Sequence, residues 1–150
     1  TYKNRFGAFF ILKILYERIW KMIFRGNEHK VIYTSLIRRM NKPIFQMSPE
    51  FLSSLYLLTS YTKLWNKSKH AIESEKIDFS KISLKSVNPD CYVLCKVAQD
   101  VYEGTEHISF SDLSDSENIN ERIYKLILNA VDIKRNGVCA FKLNKRGVII

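Results

Sequence analysis

The chemistry open to this chain is read first from its cysteines, histidines and acids. Cys91 and Cys95 stand four residues apart, a spacing that puts both thiols on one side of a helix. A zinc site would need two further soft or imidazole ligands. Only His107 and Cys139 lie near in sequence, at no zinc-ligand spacing, so the pair reads as two small buried residues. His29, His70 and His107 are scattered. Ser109, Ser111 and Asp112 crowd His107 too closely in sequence to act as nucleophile, base and orienter. Asp112, Ser114, Ser116, Asn118 and Asn120 alternate as in a calcium loop. However, Glu117 stands where the tight turn needs glycine, and Ile123 where the bidentate glutamate belongs. The five glycines are isolated, which excludes a glycine-rich phosphate loop and a dinucleotide fingerprint. No cofactor and no metal are expected, and an enzyme of unrecognised family is the last of the readings.

Binding is better supported, because the positive charge is unevenly placed. Of a net charge of +9, residues 1–42 hold nearly all, with ten bases against Glu17 and Glu28 alone. Such asymmetry points to a polyanion, either nucleic acid or an anionic membrane surface. Arg38, Arg39 and Lys42 are the tightest cluster and the first candidates for that contact. Lys134, Arg135, Lys145 and Arg146 are the candidates at the other end of the chain, with Lys142 beside them. The three cysteines and the lack of a signal-like leader read as a reduced, cytoplasmic setting.

These candidates must be held by a core, and 46% hydrophobic residues in 150 supply enough for one soluble domain. The pattern predicts a mainly α fold, a compact domain of about five helices with a small C-terminal β-hairpin. The first helix is expected over 8–25, apolar except for a stripe of Lys13, Glu17, Arg18 and Lys21. Those charges interrupt the run, so it should not span a bilayer. A face this wide needs a core, a second copy of the chain, another partner or a membrane surface to cover it. A second helix is expected over 28–40. Ser48-Pro49-Glu50 and Asn88-Pro89-Asp90 each give a capping residue, a first-turn proline and an acid, and so start helices over about 51–72 and 89–103. Residues 77–87 read as irregular with one short strand, 107–110 as extended, and 111–116 as one helical turn. A strong helix follows over 120–135. Two strands, 138–143 and 148–150, are expected around a turn at 144–147.

The order over 88–150 is that of a winged helix-turn-helix. This DNA-binding alternative puts the 120–135 helix in the major groove and the 144–147 turn at the wing. Glu117 and Glu121 at the start of that helix oppose it. Phe51-Leu52-Ser53-Ser54-Leu55-Tyr56-Leu57-Leu58-Thr59 with Leu64-Trp65 forms one characteristic piece of the chain. Gly104-Thr105-Glu106-His107-Ile108, Asp112-Leu113, Asn129-Ala130 and Arg135-Asn136-Gly137 form another. Together they resemble small uncharacterised proteins of phages and mobile elements of Firmicutes, over about residues 48–137. The resemblance implies an accessory role, as a small binding or inhibitory protein in a bacterial cytosol, and carries over no catalytic residue. The leading expectation is a non-enzymatic binding or regulatory protein acting on a protein or nucleic-acid partner.

Overall fold

The computed structural model describes residues 24–141, 143, 145, 146 and 148–150. They form six α-helices: α1 (Asn27–Arg39), α2 (Pro49–Leu58), α3 (Thr62–Ser68), α4 (Pro89–Glu103), α5 (Phe110–Ser114) and α6 (Glu121–Asn136). Short 3-10 turns occupy Ile44–Gln46, Lys69–Ala71, Phe79–Lys81 and Gly137–Ala140. The one sheet among the described residues pairs β1 (Ile72–Glu73) with β2 (Lys76–Ile77), antiparallel, with Ile72 opposite Ile77. No described helix is long and apolar enough to cross a membrane.

The centre of the body is α2. Ser48 caps it by accepting the Phe51 N–H at 3.1 Å, and Pro49 opens its first turn. Every residue from Phe51 to Leu58 is buried, so this helix has no solvated face and must be surrounded. Ser53 and Ser54 let neighbouring backbones approach, because they are small and each donates a hydrogen bond. Ser53 donates to the Ala130 carbonyl on α6, and Ser54 to the Ala98 carbonyl on α4 at 2.8 Å. These bonds remove the cost of two hydroxyls in an apolar core.

The same cross-links give the directions of the helices. On α1, His29 reaches the Tyr56 carbonyl and the Tyr33 hydroxyl donates to the Leu52 carbonyl, so α1 runs antiparallel to α2. On α6, Asn129 donates to the Tyr56 hydroxyl at 3.1 Å, and a Cβ on Gly137 would stand 3.5 Å from Pro49 Cγ; α6 is also antiparallel to α2. Ser54 meets Ala98 on α4, while Tyr102, one turn further on, donates to the Glu75 carbonyl; the Glu75 side chain in turn accepts the Ser48 N–H. Three helices therefore end beside the start of α2. Their own starts gather at the opposite pole, where Asn120 donates to Asp90 at 3.1 Å.

Several expectations are corrected. The helix expected over 51–72 is two helices, because the Thr59 and Ser60 hydroxyls bond back to the Leu55 and Leu57 carbonyls and break the ladder at the turn before α3. Its last residues turn into β1, and Ser74, at φ 55°, makes the bend to β2. Residues 107–110 form no strand. The Asp100 carboxylate accepts the His107 and Ile108 N–H groups, and Ser109 then caps α5 through a reciprocal bond with Asp112. The C-terminal hairpin is reduced, among the described residues, to one antiparallel bridge between Leu143 and Ile149. Val138, Cys139 and Ala140 instead continue from α6 as a 3-10 turn after Gly137. Among the described residues the short strand of the winged-helix order is thus missing and its wing is reduced to that single bridge. The 8–25 helix and Lys142 lie outside the described residues, apart from Phe24 and Arg25, which precede α1.

Candidate polyanion-binding pole

The seven basic candidates, separated by as much as 108 residues of chain (38 to 146), gather toward one end of the body. Arg38 and Arg39 occupy the last turn of α1, and Lys134 and Arg135 the last turn of α6. Because both helices run antiparallel to α2, both last turns flank its start. Lys42 follows α1 through the left-handed Asn41 (φ 50°). The tail returns to the same place: a cleft of about 160 Å³ has Arg38, Lys42, Pro43 and Ile44 on one side and Val148 and Ile149 on the other. Lys145 and Arg146 sit in the turn between the bridged Leu143 and Ile149. At ~3.5 Å per residue, that turn stays within about 15 Å of Ile149. All seven candidates are exposed.

Their partners differ. Lys42 is paired with Glu75, whose other oxygen accepts the Ser48 N–H. The Lys42 ammonium holds the Glu75 carboxyl below its usual range, so one of the seven charges is already neutralised within the fold. Among the described residues Arg38, Arg39, Lys134 and Lys145 make no ion pair. Cations in the last turns of α1 and α6 also offset the helix dipoles. That accounts for basic residues there, but not for a third cluster brought in by the tail. At the same pole the end of α4 bears Glu103 and, past Gly104 (φ 73°), Glu106. The pole is therefore basic on the α1, α6 and tail side and acidic on the α4 side.

One functional candidate was not read from the sequence. Phe45 lies in the 3-10 turn between the two basic helix ends and is 70% exposed. Its segment packs against Gly137–Ala140, which continues the Lys134–Arg135 turn. The signal available was an aromatic three residues after Lys42, just after Pro43 and outside any periodic apolar run.

The remaining groups serve the fold. His29 is buried, donating from Nε2 to the Tyr56 carbonyl at 2.8 Å and accepting the Arg25 N–H at Nδ1. Burial pushes its imidazole down to about 4, and the Arg25 charge adds to this against the opposing pull of the Tyr56 carbonyl. Rings of Phe24, Tyr33 and Tyr56 surround it, and Tyr33 stacks on Phe141 of the tail. Cys91 and Cys95 are buried, and burial raises both thiols, Cys95 to about 11. Asp100 pairs with His107 Nδ1 at 2.6 Å. Burial alone would raise its carboxyl, but the His107 and Ile108 N–H groups and the Thr105 hydroxyl outweigh this and hold it low. Every one of those bonds ties down the loop after α4. Among the described residues no three His, Cys, Asp or Glu side chains gather as a metal site.

Comparison with protein-family models, with curated proteins and with solved structures finds no match, so the functional reading rests on this geometry.

Proposed function

We propose that the protein is a non-enzymatic binding protein that takes a nucleic acid on its basic pole. One observation carries this reading: Arg38, Arg39 and Lys42, and Lys134 and Arg135, are far apart in the chain yet flank the start of the same buried helix, all exposed, and the exposed Lys145–Arg146 turn stays within about 15 Å of Ile149 in the Arg38–Lys42 cleft. Phosphate contacts by such residues release counterions, so affinity falls with salt in proportion to the number of contacts. An accessory or inhibitory role in a bacterial cytosol, as the resemblance over 48–137 implies, is part of the same proposal.

The test is fluorescence anisotropy of labelled oligonucleotides across a salt series. Wild type should bind at low salt with a steep negative slope of log affinity against log salt. An Arg38→Ala/Arg39→Ala variant should bind more weakly, its slope shallower by about 1.4 on single strands. Lys63→Ala/Arg122→Ala, with both changes away from this pole, should bind as wild type. No binding at low salt, or an equal loss in the control variant, would refute the proposal.

A second reading is favoured by a different observation. On α6, Leu128 and Val131 are each 48% exposed, with the half-buried Tyr124 one turn before. They make an apolar stripe at helical spacing that would suit a protein partner. The duplex-binding alternative also uses α6, through Arg122 and Lys125 at its start. Loss of binding in the control variant would favour that alternative.

A further inference from the structure

We propose that Phe45 is a base-stacking residue, and hence that the nucleic acid taken by the basic pole is single-stranded; the inference rests on the polyanion reading and narrows it.

Phe45 is not a frayed side chain. Pro43 fixes the backbone before it, and the turn is closed by Gln46 N–H to the Pro43 carbonyl at 2.9 Å and Met47 N–H to the Ile44 carbonyl at 3.1 Å. Its flanking side chains Ile44 and Met47 are buried, at 6% and 4% exposure. The segment is thus pinned on both sides of a ring that is held out into water. A single exposed apolar residue is ordinary on a protein surface. The position of this one is informative, because the ring stands between the α1 cluster and the α6 end. Ile44 shares the cleft of Arg38 and Lys42 on one side, and the turn packs against Gly137–Ala140 on the other. Among the described residues neither Arg38 nor Arg39 has a carboxylate partner.

Aromatic rings among unpaired cations are how sequence-tolerant single-strand binders work: cations follow the backbone while rings take the faces of unpaired bases. A duplex keeps those faces inside its own stack. A reader of the duplex major groove needs a helix or a two-stranded ribbon on its binding face, whereas the central element between these cations is a 3-10 turn. An apolar partner protein would also welcome Phe45, but among the described residues Arg38, Arg39 and Lys134 beside it make no ion pair, and exposed cations around a ring favour a chain of phosphates.

The experiment uses three labelled probes at fixed low salt: a single strand of about 10 nucleotides, the same length without bases, and a hairpin duplex. The full chain should bind the single strand about 5- to 100-fold more tightly than the abasic strand. Phe45→Ala, folded by circular dichroism, should lose that difference while keeping its salt dependence, and Phe45→Tyr should retain it. If Phe45→Ala binds all three probes as wild type does, or if the abasic strand and the duplex match the single strand, stacking is refuted and the polyanion reading stands. If no probe binds, both fail. In that case a protein partner becomes the occupant to seek.

Discussion

His29 links the fold to pH in a way that can be worked through. The imidazole is 2% exposed and both ring nitrogens are committed: Nε2–H donates to the Tyr56 carbonyl, and Nδ1 accepts from Arg25 N–H. A proton on Nδ1 would set two donors against each other, inside a ring of Phe24, Tyr33 and Tyr56 and close to the Arg25 charge. Hence its folded value of about 4 against 6.5. The unfolded chain takes up this proton as pH falls through 6.5, while the folded chain refuses it until about 4. Stability is therefore full above the unfolded value and falls across that window, by about 3 kcal/mol in all. Between about pH 7 and about pH 5 the loss is about 2 kcal/mol. The low-held carboxylates Glu75 and Asp100 lose their contributions only at lower pH, so they stay out of this interval. Urea unfolding followed by circular dichroism, for wild type and His29→Gln, measures it. Wild type should lose stability on acidification by about 2 kcal/mol more than the variant. Equal pH dependence in the two proteins, or an imidazole that titrates near 6.5 by NMR, would refute the buried, neutral histidine.

Other outcomes follow from the same contacts. Glu75→Gln releases Lys42 from its ion pair, so stability should change by less than about 1 kcal/mol, while oligonucleotide affinity rises and the salt slope steepens by about 0.7. Weaker binding would show that Lys42 is not part of the surface. A thiol reagent should modify Cys139 promptly and Cys91 and Cys95 only on unfolding, since these two are buried with raised thiols; more than one fast thiol would contradict the core. Asn120→Ala removes the acceptor for the Ile123 N–H at the start of α6, and denaturant unfolding should show a loss of about 1 kcal/mol. Ser54→Leu forces a larger side chain between α2 and α4 and removes the bond to the Ala98 carbonyl, so the unfolding midpoint should drop sharply, as overpacking costs about 1–3 kcal/mol.

The helix starts were legible because their chemistry is local. Ser48, Asn88 and Asn120 each cap the helix expected of them, and Gly104 takes the left-handed position. The break after Leu58 was not legible, since it turns on which carbonyl the Thr59 and Ser60 hydroxyls choose. Nor was the Ile72–Ile77 hairpin, whose bend is a left-handed Ser74 with neither glycine nor asparagine to announce it. The tail was read as two strands from two short apolar runs around a turn at 144–147, but Ala140 and Phe141 are drawn into the core behind Gly137. Each basic cluster was visible alone. Their convergence depends on α1 and α6 both opposing α2, a fact carried by long-range contacts such as Tyr33 with Leu52 and Ser53 with Ala130. Phe45 was passed over because it belongs to no periodic run.

The claim that this pole is the binding face is tested most directly by mapping amide shifts of the labelled protein as a short single-stranded oligonucleotide is added. The account predicts that the largest shifts fall on residues 38–46, 134–140 and 145–146, and that Arg38→Ala/Arg39→Ala needs more oligonucleotide to reach them. Shifts centred on residues 88–92 and 120–125 at the opposite pole, or no shifts at all, would contradict it.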